Sequence, residues 1–304
     1  ANIDHDRVSD FGDLQAELMA AQKGDILCDL SHIALIRASG ADSSAFLQGQ
    51  FSNDVRQVSA TRHQLSSYSS PKGRMLSLFR LFQREDAYYL SLPQEQLETT
   101  LKRLKMFVLR SLVTLEDASE QLIRFGLSGP HAEQQLRAHL GTAPAKHDDS
   151  LTAKEITVLR LAGPHPRFEL HGPLSAMQNL WHALSSHAQK AGADCWELLD
   201  IQAGLPTVYP ETLEAFVPQM LNLQLVNGVS FKKGCYTGQE IVARMQYLGK
   251  LKRRMYRGHA TTPHPPAPGD ELTSPQSASG QGAGKVVRAA PSPEGGYEIL
   301  GVIE

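Results

Sequence analysis

Neither sign of charge predominates in this sequence: 30 Lys and Arg stand against 32 Asp and Glu, a formal net charge of -2. That balance excludes polyelectrolyte attraction of the whole molecule to nucleic acid, so any anion site has to be local. Cysteine is scarce. Cys28, Cys195 and Cys235 are an odd number at wide spacing, which fits neither a disulfide framework nor a compact zinc motif and points to a reducing, cytoplasmic compartment. No apolar run approaches the roughly 18 residues of a membrane span. The first twenty residues carry four aspartates and lack a basic start followed by an apolar run, a pattern unlike a secretory signal. What remains, 304 residues at 41% hydrophobic and 20% charged, is the composition of a soluble protein with a large core divided into two or three units.

The chain mixes strand and helix signals. ILCDLSHIALIRASG reads as strands approaching a turn at Gly40. Asp42 and Ser43 can cap a short helix with Ala45, Phe46 and Leu47 inward and Gly49 near its end. Met75 to Phe82 and Ala87 to Leu92 read as two hairpin strands. Leu97, Leu101, Leu104 and Val108 recur at helical steps after Pro93. From about Gln121 the same grammar repeats: strand LIRFGLSG, a helix from Pro130 to near Gly141, strands near Ile156 to Leu161 and Phe168 to Leu170. A helix then carries Met177, Leu180, Trp181 and Leu184, with Gly192 expected as its C-terminal cap. This order predicts an α+β fold rather than an alternating parallel sheet. Residues 261 to 284, dense in Pro, Gly and Ser, are expected to be turns or an exposed loop. Strands at Arg254 to His259, Lys285 to Ala289 and Tyr297 to Ile303 suggest a small C-terminal β-barrel-like domain.

The run FKKGCYTGQEIVARMQYLGKLKRRMY, Phe231 to Tyr256, concentrates unusual chemistry. Gly234 and Gly238 bracket Cys235 and Tyr236, so the backbone can turn sharply and hold a thiol and a phenol at a surface. Gln239 and Glu240 open an apolar stretch that reads as a helix, and an acidic residue suits its first turn. A helix N-terminus with Lys232 and Lys233 beside it would lower a thiol pKa, making Cys235 a candidate reactive thiolate. The alternative is a small residue in a tight turn. Cys28 and Cys195 sit among apolar neighbours and read as buried structural cysteines. Lys250, Lys252, Arg253, Arg254 and Arg257 are either a solvated face or a binding strip for an anionic tail or a phosphate backbone.

KGCYTGQE, with NLQLVNGVSF before it and IVARMQYLGKLKRRMY after it, resembles the signature of the YgfZ family, folate-binding relatives of the glycine-cleavage T-protein, an aminomethyltransferase. Asp29 to Val55, Ser69 to Phe82 and Ile201 to Leu223 resemble successive segments of that superfamily in order, so the resemblance runs from about residue 25 to the end. It implies two ferredoxin-like lobes and a C-terminal β-barrel around a central hole that accepts tetrahydrofolate. Lobe A is expected at about 1–50 and 115–225, lobe B at about 51–114, the KGCYTGQE segment at 232–245 within a folate-binding region 1–245, and the barrel at 246–304.

Two departures from the T-protein pattern bear on activity. The aspartates of its K-G-G-x-x-D-D segment correspond here to Ser77 and Leu78 in Lys72-Gly73-Arg74-Met75-Leu76-Ser77-Leu78. Ser77 does not ionise in the working range and Leu78 has no polar group, which argues against glycine-cleavage chemistry. Gln202 stands where T-proteins place a pterin-binding glutamate; its amide offers a donor and an acceptor without charge. The resemblance implies instead an accessory protein that binds tetrahydrofolate or a derivative and supports iron-sulfur enzymes, including tRNA-modifying ones. Cys235 is its working thiol or its ligand to an iron-sulfur cluster shared with a partner, since one cysteine cannot supply four thiolates. Tyr236, Glu240 and Lys233 would assist Cys235; Lys72, Gln202, Gly234, Gln239 and Arg244 would contact the folate; Lys250, Lys252, Arg253 and Arg254 would contact tRNA or a protein. A folate-dependent aminomethyl or one-carbon transferase and a tRNA-binding protein are the alternative functions, and a mere linker between lobe and barrel is the alternative for the motif.

Overall fold

The computed structural model describes residues 1–4, 7–275 and 282–304. Part of the expected Pro/Gly/Ser loop, 276–281, lies outside them. Two large sheets account for most of the strands. The first has six strands in the order Ser150–Ala153, Ile156–Leu161, Arg167–Gly172, Ile123–Ser128, Ile26–Asp29, Gln189–Ala191, antiparallel except for the last pair. The second has five antiparallel strands in the order Gln64–Ser69, Met75–Arg84, Ala87–Pro93, Ile33–Ser39, Thr114–Asp117. Ile33–Ser39 therefore belongs with the strands of residues 64–93, pairing Leu35 with Ser91, and not with lobe A where residues 1–50 were expected. A run of seven residues that is buried on both sides pairs with whichever sheet has an open edge, and sequence order does not reveal that choice.

Each sheet is covered by its own helices. Ser43–Gln50 and Leu97–Lys105 lay Phe46, Leu47, Leu97 and Leu104 on the second sheet. Ala132–Leu140 and Leu174–Leu184 lay Leu136, Leu140, Met177, Leu180 and Leu184 on the first. Both pairs follow the three- and four-residue spacing of their apolar side chains. The helix expected to end just before Gly192 stops at Leu184, where His187 and Ala188 bond back to the Leu184 carbonyl and turn the chain into the short strand Gln189–Ala191; Gly192 instead precedes helix Ala193–Gln202 as its N-cap.

The inner faces of the two sheets share a third core with helix Ala193–Gln202 and with Val287, Ala290, Leu300 and Val302 of the C-terminal sheet. That sheet has four strands, Arg254–Ala260, Tyr297–Ile303, Gly284–Pro291 and Glu271–Leu272, in that spatial order. A bulge in the second sheet sets what faces this shared core. Tyr68 pairs with Ser77 and Ser69 with Met75, so Leu76 is an extra residue. Beyond it the alternation is reset: Phe79 and Leu81 pack under the helices while Leu78 and Phe82 point inward.

Candidate functional site

A cavity of about 490 Å³ lies where the two sheets, helix Ala193–Gln202 and the C-terminal sheet converge. One wall is the inner face of the second sheet, where Leu65, Arg80 and Ser91 form a cross-strand row and Leu78 precedes Arg80 by two residues. The facing wall carries Leu161 and Glu169 of the first sheet; Trp196, Glu197 and Asp200 come from the helix and Arg288 from the C-terminal sheet. Its size and mixed apolar and polar lining suit a ligand of cofactor size.

The polar side chains are paired across elements. Arg288 donates from Nε to Glu197 Oε1 at 2.6 Å and from Nη1 to the Leu205 carbonyl at 3.0 Å, and its Nη2 stands 2.8 Å from Asp200 Oδ2. Arg167, fully buried, pairs with Asp200 Oδ1 at 2.6 Å and stacks 4.0 Å from the Trp196 ring. Burial pushes the Asp200 carboxyl up, but the two guanidinium groups outweigh it and hold it below the usual aspartate range. On the facing wall Glu169 accepts from Ser91 Oγ at 2.9 Å, and His171 Nε2 lies 2.9 Å from the same oxygen. Burial raises Glu169, and the imidazole with Arg80 and Ser91 overcomes this to bring it down to about 2.

The KGCYTGQE segment lies outside this cavity lining. Lys233 is buried, and its Nζ donates to the carbonyls of Gln48 at 2.7 Å, Phe51 at 2.5 Å and Asn53 at 3.0 Å. Three donors meeting three acceptors fasten the segment to the second sheet's edge. The expected help to the Cys235 thiolate is thus replaced by a clamp: the ammonium is committed to backbone oxygens at the end of helix Ser43–Gln50. Burial lowers the Lys233 amine to about 8. Tyr236 is buried under that amine, 5.0 Å from Nζ to ring centroid, and burial raises its phenol to about 12. Between these two anchored side chains Gly234 and Cys235 are exposed.

Gly238, at φ +83°, is the N-cap of helix Gln239–Tyr247, the helix that Gln239 and Glu240 were expected to open. A Cβ on Gly238 would lie 2.5 Å from the Ser70 carbonyl, and one on Gly73 2.9 Å from Ile241 Cβ. The two glycines let the Lys72-Gly73 turn and this helix touch, so Lys72 is brought to the same surface as the cysteine segment. Glu240 and Arg244 are exposed on the helix, and Gln239 is half-buried with its amide 3.5 Å from the Lys233 carbonyl. Gln219 Nε2 donates to the Val242 carbonyl at 2.6 Å and holds the helix to the body.

None of Lys72, Gln202, Gly234, Gln239 and Arg244 lines the central cavity. For Gln202 the reason is helical phase: Glu197 and Asp200 point inward, and a residue two positions beyond Asp200 is turned by about 200°. The residues that do line it, Arg80, Glu169, Glu197, Asp200 and Arg288, were missed because they come from four separate elements with no local motif. Their one signal was a charged residue at an inward position of an apolar run, as Arg80 in MLSLFRLF. Lys250, Lys252 and Arg254 are exposed, whereas Arg253 donates to the Gly282 carbonyl at 3.2 Å. Cys28 and Cys195 are buried, and burial raises both thiols. Among the described residues no group of three or more His, Cys, Asp or Glu side chains is placed to hold a metal ion, and no helix is long and apolar enough to cross a membrane.

Residues 5–233 match the model of the GCVT N-terminal domain. The protein called tRNA-modifying protein YgfZ is 35% identical over 232 residues in Colwellia psychrerythraea strain 34H, spanning 76% of this chain and 70% of that one. Its namesake in Sodalis glossinidius is 31% identical over 277 residues, 91% of this chain and 84% of that one, and that of Enterobacter sp. strain 638 is 32% identical over 269 residues, 88% and 82%. The glycine cleavage system aminomethyltransferase T of Bartonella henselae superposes with a TM-score of 0.78 at 18% identity, covering 95% of this chain and 81% of that one, so the two share a mixed α+β fold. With that fold, the matched domain and the KGCYTGQE segment, the chain belongs to the YgfZ family, relatives of the glycine-cleavage T-protein.

Proposed function

We propose that this protein is a folate-binding accessory factor for iron-sulfur enzymes that modify tRNA, with Cys235 as its working thiol. In this reading the two large sheets are the ferredoxin-like lobes, the C-terminal sheet belongs to the barrel domain, and the cavity between them is the folate hole. The observation that carries it is the build of the KGCYTGQE segment: Lys233 and Tyr236 are buried and anchored while Cys235 between them is exposed. Rigid anchors on both sides of an exposed thiol present it to a partner at a defined place. The names of the relatives supply the tRNA-modifying context.

The cavity fits a reduced folate by size, by apolar walls at Leu65, Leu78 and Leu161, and by the carboxylates and guanidinium groups that face it. A bound folate would supply a one-carbon unit or act as a sensed ligand. The chain's own residues do the rest: the walls exclude water and the charged pairs orient the polar edge of the ligand. An iron-sulfur cluster does not fit the chain alone, because Cys235 is exposed and the other two thiols are buried. The cluster therefore belongs to the client. Leu78, one of the two positions where the resemblance puts the aspartates of the T-protein segment, stands at the cavity wall without a carboxylate, which speaks against aminomethyl transfer.

Calorimetric titration with tetrahydrofolate, run beside Cys235→Ala in an assay of an iron-sulfur tRNA-thiolating enzyme, tests the reading. Folate binding by both proteins with client activity lost only in the variant is the expected result. Full client activity with Cys235→Ala removes the thiol from the proposal. Exposed Tyr247 and Tyr256 interleaved with exposed Lys250, Lys252 and Arg254 support direct tRNA contact as a second reading. Absence of RNA binding at low salt would eliminate it.

A further inference from the structure

Four arginines line the central cavity: Arg7, Arg80, Arg124 and Arg288. Three of them make hydrogen bonds to the protein. Arg288 is bound to Glu197, Asp200 and the Leu205 carbonyl. Arg124 donates its terminal nitrogens to the carbonyls of Ser119, Leu122 and Ser31, and Arg7 is paired with Asp194. Arg80 differs. Its side chain is 11% exposed, yet among the described residues its guanidinium makes no hydrogen bond; its ion-pair partner Glu169 stands 3.7 Å from Nε. Glu169 reaches over from the first sheet and is fixed at Oε1, 2.9 Å each from Ser91 of Arg80's own wall and from His171, which leaves Oε2 beyond hydrogen-bond distance of Arg80.

The position of Arg80 is set by the fold. The bulge at Leu76 puts Leu78 and Arg80 on the inward phase, and the cross-strand row places Arg80 between Leu65 and Ser91 at the middle of the wall. A guanidinium cannot discharge by losing its proton. Nearly out of bulk water, and with no acceptor among the described residues at hydrogen-bond distance, its donors are turned to the cavity. A molecule that fills the cavity must offer acceptors to this wall or lose affinity, since leaving buried charged donors unpaired costs more than a neutral contact returns. The neighbouring Leu65, Leu78 and Leu161 offer it no polar substitute.

We propose that Arg80 is the specificity-determining donor of the cavity: its terminal nitrogens take a planar acceptor oxygen, a carbonyl or a carboxylate, of the bound molecule. A guanidinium presents a planar fork whose two parallel N–H groups match both oxygens of a carboxylate and either of which can donate to a ring carbonyl, a geometry that an ammonium lacks. The inference rests on the folate reading of the cavity. In that class of ligand the oxygen comes either from the pterin ring carbonyl or from the glutamate tail, and a ligand without it is rejected.

The test is calorimetric titration of the full chain and of Arg80→Lys and Arg80→Met with tetrahydrofolate. Tetrahydrobiopterin, which lacks the tail, and p-aminobenzoylglutamate, which lacks the pterin, are titrated in parallel to identify the source of the oxygen. The expected result is a loss of tetrahydrofolate affinity of roughly 10- to 100-fold in Arg80→Met, with partial recovery in Arg80→Lys. Circular dichroism and melting of each variant establish that it is folded, and Arg80→Lys, which keeps the charge beside Glu169, carries the test if Arg80→Met is not. Equal affinity in wild type and both variants overturns the role of Arg80 and leaves the folate reading standing. No binding by folded wild type refutes the folate reading and the role of Arg80 with it.

Discussion

Removing the Arg288 side chain should unlatch the C-terminal sheet from the rest of the molecule. Arg288 sits on strand Gly284–Pro291 at 6% exposure and reaches Glu197 and Asp200 on helix Ala193–Gln202. The cluster holds two cations, Arg288 and Arg167, against two anions, Glu197 and Asp200. In Arg288→Met one buried negative charge is left without a counterpart, and breaking a buried pair this way costs about 3–5 kcal/mol. The double variant Arg288→Met with Glu197→Gln restores neutrality, and the amide still reaches the Tyr209 hydroxyl, which lies 3.3 Å from Glu197 Oε1 in the wild type. It should be within about 1–2 kcal/mol of wild type. Urea unfolding at 25 °C followed by circular dichroism gives both values from the midpoints, provided the slope is unchanged. Hydrogen exchange should show the loss concentrated in strands Gly284–Pro291 and Tyr297–Ile303, which this latch ties to the helix. A single variant within about 1 kcal/mol of wild type, or a double variant no better than the single, would refute the charge argument.

Further outcomes follow from the same geometry. Glu169 has a folded pKa of about 2 against an ordinary 4.5, so its contribution is fully present above pH 4.5 and is lost as pH falls through about 2. Acid titration of stability should therefore be shallower in Glu169→Gln over that window, by up to about 3 kcal/mol in total; parallel curves would show the carboxylate to be unimportant. Lys233→Met leaves the carbonyls of Gln48, Phe51 and Asn53 without their donor and should cost about 3 kcal/mol, with no rescue by Arg, whose planar fork cannot enter a site shaped for one ammonium; thermal melting decides this. Ellman's reagent should titrate one thiol rapidly in the native protein and three after denaturation, because Cys235 is exposed while Cys28 and Cys195 are buried. Two fast native thiols would mean that the core opens around Cys28 or Cys195.

Local signals carried well in this chain. The hairpin Met75–Arg84 and Ala87–Pro93, the helix ending at Gly141 and the helix opening at Gln239 all lie where alternation, capping and glycine placement put them. Their determinants sit within a few residues of each other, so they are readable without a fold. The membership of Ile33–Ser39 in the second sheet was not readable in that way, since a strand's partner is selected by register and open edges far away in sequence. The same holds for Gly192, whose capping role depends on a three-residue strand too short to show a period.

For the site, the sequence by itself determined which residues make the unusual segment: a lysine, then a cysteine and a tyrosine between two glycines, followed by a helix. Tertiary structure decided what each one does. It turned Lys233 inward to three carbonyls, left Cys235 outward, and assembled Arg80, Glu169, Glu197, Asp200 and Arg288 from four elements around one cavity. The division has a physical cause. Backbone conformation is set by near neighbours, whereas the environment of a charge is set by whatever the fold brings within a few ångströms of it, and that information is spread over the whole chain.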